Sequence, residues 1–189
     1  MRVALTGSAG TGRATIAKRL AAHFECEAIT NLSRHMLDAE GFQYGQGIKV
    51  ETFLACQDRP QRLLELKKQK EAGKEAFITD RSWVDFAAYR IIENNQDPNV
   101  STDIEDAMCM MDNYDAVILV PWNRQPLTVD NVRTINPWYQ FMVEAVIKRL
   151  LMLYGIEHRH LPILDVNRSV KMCIEYIEGK KKVLQAKRS

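Results

Sequence analysis

One stretch of fifteen residues does most to limit what this chain can fold into. Arg2-Val3-Ala4-Leu5-Thr6 suits a short strand buried on both faces, and Gly7-Ser8-Ala9-Gly10-Thr11-Gly12 follows without a break. Arg13 to Ala22 then holds helix-forming residues, with Ile16, Ala17, Leu20 and Ala21 on one face. A strand, a glycine turn and a helix start in that order make a cradle. Glycines let the backbone turn inward so that several N–H groups converge, and the helix N-terminus adds partial positive charge at the same spot. The natural occupant is an anion. An ordinary strand-to-helix turn needs one or two glycines, not three.

The spacing follows the P-loop pattern of Gly, four residues, Gly, a basic residue and Ser or Thr, with two substitutions. Arg13 stands where a lysine is expected, and Ala14 where a hydroxyl would bind magnesium. Gly7, Ser8, Ala9, Gly10, Thr11, Gly12, Arg13, Ala14 and Thr15 are therefore the expected nucleotide-binding residues. Arg13 can reach β- and γ-phosphates as a wide fork rather than a compact ammonium. Thr15 offers a hydroxyl, but it is turned about 100° around the helix from Ala14.

Strand and helix patterns alternate along the rest of the chain, which predicts a parallel sheet of about five strands with helices on both faces. Candidate strands are Cys26–Thr30, Ala76–Thr79, Asp115–Val120 and His158–Ile163; candidate helices are Arg34–Glu40, Val50–Ala72, Trp83–Asn94, Ser101–Asp112, Trp138–Tyr154 and Ser169–Glu178. Asn31 or Ser33 would cap the second helix and Ser101 the fifth. Residues 1–178 read as one domain with a lid segment at about 121–137, and 179–189 as a basic tail extending the last helix.

Ala76-Phe77-Ile78-Thr79 delivers Asp80-Arg81-Ser82 at its C-terminal end, where an open parallel sheet forms its ligand crevice. Phosphoryl transfer needs a carboxylate near the acceptor or the metal, and cations facing the phosphates. Asp80 is thus the candidate general base or metal ligand, and Arg81 the candidate phosphate clamp. Asp85 reads either as a second ligand of the substrate site or as a helix-start charge. Arg124 and Arg133 lie in the non-periodic lid segment, with Arg133 the better candidate to close over the phosphates. Arg34 is placed to reach a substrate phosphate. Phe53 and Gln57, four apart on one helical face, either hold a base or are a core ring beside a surface amide. Asp165 to Arg168 either cups an adenine or caps the last helix.

These motifs, with Tyr114-Asp115 opening a strand and Val129 to Arg133 in the lid segment, resemble a P-loop kinase of the nucleoside and nucleotide kinase group. In particular they resemble the AAA-domain-like subfamily that includes the ribosylnicotinamide kinase domain of the NAD-biosynthesis regulator; Thr79 to Ser82 is also similar to the Asp/Glu-Arg motif of deoxynucleoside and thymidylate kinases. The resemblance implies a three-layer fold, ATP with Mg2+ as donor, and a nucleoside-like hydroxyl or monophosphate as acceptor. It gives Asp80 and Arg81 that group's catalytic roles and Arg133 a lid role. Arg13 and Ala14 depart from its Lys and Ser/Thr.

Two other readings stay open. One is a kinase acting on hydroxymethylated pyrimidines in DNA, with Lys67-Lys68-Gln69-Lys70 and the tail holding the backbone. The other is a non-catalytic nucleotide-binding module, motivated by Arg13 and Ala14. A net charge of +2 argues against a duplex-coating protein and permits a local basic patch. Cys26, Cys56, Cys109 and Cys173 form no Cys-x-x-Cys pair, which suggests neither zinc nor disulfides. No apolar run approaches 18 residues and no leader precedes the first strand, so a cytoplasmic protein with no membrane partner is expected. A homodimer is compatible with all of this.

Overall fold

Backbone pairing is parallel throughout, as the alternating sequence predicts. The computed structural model describes residues 1–39, 59–94, 96–123 and 136–186. Its strands are β1 (Arg2–Thr6), β2 (Glu27–Ile29), β3 (Phe77–Thr79), β4 (Ala116–Leu119) and β5 (Arg159–His160), in the spatial order β2-β3-β1-β4-β5. The helices are α1 (Arg13–His23), α2 (Leu32–Ala39), α3 (Arg59–Glu71), α4 (Trp83–Asn94), α5 (Val100–Cys109), α6 (Pro137–Leu153) and α7 (Val166–Ala186).

The register follows from burial on both faces. Val3 and Leu5 of β1 pack with Ile16, Leu20, Cys173 and Ile177 of α1 and α7. Ala4, one residue out of phase, packs on the other face with Val84, Ala88, Met108, Val143 and Ile147 of α4, α5 and α6. The sheet is therefore the middle of three layers. Because β1 lies between β3 and β4, the chain crosses β1 between those strands, and their C-terminal ends form the crevice.

Several element ends differ from expectation. Ser101 lies inside α5, whose preceding residue is Asn99, and a 3-10 turn over Met110–Asn113 takes the last residues assigned to that helix. The last strand is only two residues long, because Leu161 alone turns inward after the exposed Arg159 and His160. α7 starts at Val166, with Asp165 Oδ1 accepting the Arg168 N–H at 3.0 Å, and runs through Gly179 to Ala186. Capping, not adenine binding, is thus the role its contacts give Asp165. Asp115 Oδ2 accepts the Arg2 N–H at 2.6 Å at the opposite end of β1 from the glycine loop. Among the described residues no helix is long and apolar enough to cross a membrane.

Candidate functional site

The glycine loop leaves β1 so tightly that only glycine fits its first position. A Cβ on Gly7 would stand 2.3 Å from the Val120 carbonyl oxygen, and its φ of +139° is one that side chains rarely adopt. Val120 N donates to Thr6 O at 2.9 Å, which draws the end of β4 against the loop. Gly12, with φ +81°, sits directly before α1; among the described residues no side chain caps the helix, and no acidic residue lies in its first turn. The first amides of α1 are thus left for an external anion. Among the described residues the buried Ser8 hydroxyl has no partner, nor does that of Thr6 at the end of β1.

Two helices fix the loop from behind. From α4, Asp85 is fully buried; its Oδ1 accepts from Arg13 Nη1 at 2.5 Å and from the Gly7 N–H at 3.3 Å. Its Oδ2 accepts from the Ser82 N–H at 2.8 Å and the Ser82 hydroxyl at 2.9 Å. Asp85 is the third residue of α4, so it also closes the helix start in the manner of a capping box. One carboxylate therefore joins the glycine loop to the segment after β3. From α6, Gln140 is buried and its Oε1 accepts the Ala9 N–H at 2.9 Å.

The segment after β3 is the opposite wall. Ala4 pairs with Thr79, so Asp80 and Gly7 both lie beyond the C-terminal ends of neighbouring strands. Asp80 is nearly buried; its N–H donates to Ile29 O at 3.1 Å, and its Oδ2 accepts from the Asn31 N–H at 3.3 Å. The Arg81 guanidinium lies 4.8 Å from the centre of the Tyr89 ring. Its carbonyl accepts from Lys67 Nζ at 2.7 Å and from the Thr79 hydroxyl at 3.1 Å. Lys67 is fully buried and also pairs with Glu71, which accepts from Trp83 Nε1 at 3.1 Å and the Tyr114 hydroxyl at 3.0 Å. Burial pulls the Lys67 ammonium below its ordinary value, against the opposing pull of Glu71, Asp85 and Asp80. Burial also pushes the Tyr114 phenol well up, reinforced by the Glu71 and Asp85 carboxylates.

Of the residues expected at the site, Arg13, Asp80, Arg81 and Asp85 come together here, and Arg13 is turned onto Asp85. Thr15 is exposed on α1, and Thr11 donates its hydroxyl to Ser8 O at 3.3 Å within the loop. Arg34 is half-buried on α2. Gln57, Arg124 and Arg133 lie outside the described residues, as do Phe53 and most of the lid segment. Lys67 is unavailable to a DNA backbone because it is enclosed; Lys68 and Lys70 are exposed.

A cradle of this build, set between the central strand and the first helix of a parallel sheet, gives the chain a P-loop kinase-like fold. More narrowly, residues 2–168 match the model of an AAA-domain family, and the chain belongs to that family. Among solved structures it is similar to deoxyadenosine kinase from M. mycoides with dCMP and dCDP bound as products, at a TM-score of 0.61 and 14% identity over 95% of this chain and 99% of that one. Thymidylate kinase from Ehrlichia chaffeensis matches at 0.54 and 17%, over 94% and 98% of the two chains. The NadR protein in complex with NAD and AMP-PNP matches at 0.59 and 16%, covering 93% of this chain and 49% of that one. At such identities the likeness is one of fold. No curated protein matches the sequence.

Proposed function

We propose that this chain is an ATP-dependent phosphotransferase that moves the γ-phosphate to a nucleoside, a nucleotide or a related hydroxyl acceptor. The observation that carries it is the pairing of an uncapped glycine cradle at the start of α1 with the Asp80 carboxylate beyond the adjoining strand. The loop amides bind and orient the phosphates. Asp80 accepts the acceptor's proton, and Arg81 offsets charge spread over the transferring group. Arg13 offsets that charge as well, while tied to Asp85. Arg133, with Arg124, closes the lid, and Arg34 and Gln57 contact the acceptor.

The residues suit a nucleotide better than a tightly held metal. The orphaned Ser8 hydroxyl and the uncapped helix are complements for phosphate oxygens. Ala14 has no ligand atom, and the Asp85 carboxylate already accepts from four donors. Among the described residues no cluster of three His, Cys, Asp or Glu is arranged for a metal. In the alternative role for Asp80, its carboxylate would hold Mg2+ through water together with the nucleotide's own oxygens, and the ion would supply charge neutralisation across the phosphates.

A second reading, a nucleotide-binding module without transfer, is favoured by the same Ala14 and by the engagement of Arg13 with Asp85. Incubation with ATP, Mg2+ and a panel of nucleosides, nucleotides and hydroxymethylated DNA, followed by detection of phosphorylated products, separates the readings. Binding without transfer to any acceptor supports the module. Within the kinase reading, Asp80→Asn should retain ATP binding and lower turnover by about 100-fold or more; unchanged turnover removes Asp80 from the mechanism.

A further inference from the structure

Three successive residues at the site have their main chains held by three different elements. The Asp80 N–H is bound by Ile29 O at the end of β2, and the Ser82 N–H by the Asp85 carboxylate on α4. Between them, the Arg81 carbonyl is bound by Lys67 from α3 at 2.7 Å. The third of these is the least expected. A fully buried ammonium carries a large desolvation cost, and an apolar side chain would fill the same space without it. The surroundings here are shaped to hold the charge. Lys67 Nζ lies 5.2 Å from the Trp83 ring centre, 5.7 Å from that of Phe86 and 5.7 Å from that of Tyr114, and its counter-ion Glu71 is fixed in turn by Trp83 and Tyr114.

We propose that Lys67 is a positioning residue of the site. Its ammonium pins the Arg81 carbonyl and so sets where the Asp80 carboxylate and the Arg81 guanidinium stand relative to the phosphate cradle. The kinetic part rests on the phosphotransferase reading; the positional part does not. Lys67 touches neither phosphate nor acceptor in this scheme. It acts through the two residues that do, where a displacement of about 1 Å is enough to slow a reaction about 100-fold.

Lys67→Met tests it against Leu63→Ala, which removes a buried contact one turn earlier on the same face of α3 and leaves the peg in place. Lys67→Gln, which keeps a donor but not the charge, serves where the methionine variant does not fold. In Lys67→Met, kcat should fall about 100-fold with KM changed by less than about threefold. Hydrogen exchange at the Ser82 amide should quicken at least about tenfold while that of Val3 to Leu5 keeps its protection. Leu63→Ala should lower the melting temperature and leave kcat and Ser82 exchange as in the native chain. Ser82 exchange that is unchanged in both Lys67 variants overturns the proposal, as does a loss of kcat that tracks the melting temperature alike in Lys67→Met and Leu63→Ala. A native chain that transfers phosphate to nothing defeats the phosphotransferase reading alone, because the exchange measurement still decides the position of Lys67.

Discussion

The two buried ion pairs that flank Ser82, Arg13 with Asp85 and Lys67 with Glu71, carry the same charges in different surroundings. Arg13–Asp85 lies under the glycine loop, and its carboxylate gathers donors from the loop, from Ser82 and from Arg13 itself. Lys67–Glu71 lies within one helix, i to i+4, beneath aromatic rings, and reaches the site through a single carbonyl. The first pair is shared by both walls of the crevice; the second supports one wall from outside. Breaking the first should therefore register in nucleotide binding, and breaking the second in stability and in the placement of the Asp80 wall.

The largest effect is expected at Glu71. Glu71→Ala leaves a buried ammonium without its counter-ion and removes the acceptor for Trp83 and Tyr114, at a cost of about 3–5 kcal/mol. Denaturant titration measures it, and ATP affinity of the folded fraction should stay close to native. A loss under about 1 kcal/mol would mean that the pair is hydrated and that the two surroundings are more alike than the rings suggest.

Asp85→Asn comes next. The substituted amide nitrogen cannot accept from Ser82, so the start of α4 weakens by about 1–3 kcal/mol. The charge that neutralised Arg13 is gone as well, and ATP affinity should rise several-fold, since one desolvated charge–charge contact is worth about a tenfold change per 1.4 kcal/mol. Equilibrium binding of ATP checks this. Weaker binding would show instead that Asp85 aims Arg13 at the phosphates, and the contrast with Glu71 would then be one of orientation rather than of charge.

The difference between the pairs bears on what the sequence discloses. The glycine loop is legible because its residue types are demanded locally: Gly7, Gly10 and Gly12 all have positive φ, which side chains rarely adopt. Trp83–Asn94 was legible to the residue, since its start is encoded in Ser82 and Asp85 and its apolar face is continuous. Lys67 reads as part of a basic run because lysines follow it. Its place on a stripe with Leu63 and Glu71 was the available signal, but a stripe alone does not show that Trp83 and Tyr114, remote in sequence, enclose it. Gln140 is hidden in the sequence for the same reason: it continues the buried stripe of Val143, Ile147 and Leu150, and its partner Ala9 is 131 residues away. Local geometry can be read from spacing; a side chain whose role is to meet a distant segment cannot.

Gln140 bears on the loop alone. Gln140→Ala leaves the Ala9 N–H buried without an acceptor, for about 1–3 kcal/mol. It touches the loop and not the Asp80 wall, so ATP affinity should weaken while hydrogen exchange at Ser82 stays native. Joint loss at both would mean that the two walls move together and that the comparison of the pairs describes one unit.

The smallest effect separates the pairs by acidity. The cation of the first pair is a guanidinium and that of the second an ammonium, the group whose acidity burial shifts more readily. Lys67 differs because burial holds it below its ordinary value of 10.5. Between the lowered value and 10.5 the unfolded chain binds more protons at this position than the folded chain does, so stability rises with pH in that window. The burial penalty is present in full below the lowered value and disappears as pH passes 10.5. Tyr114 works in the other direction, since its proton is retained in the folded chain above 10.0, and stability falls with pH beyond that point. Subtracting the pH series of Lys67→Met from that of the native chain isolates the lysine, with a slope no steeper than about 1.4 kcal/mol per pH unit. A native chain that gains stability relative to Lys67→Met as pH rises toward 10 marks a lysine whose value burial has lowered inside the fold. A flat difference marks one whose value burial has not moved, and the two pairs would then differ only in what their carboxylates touch.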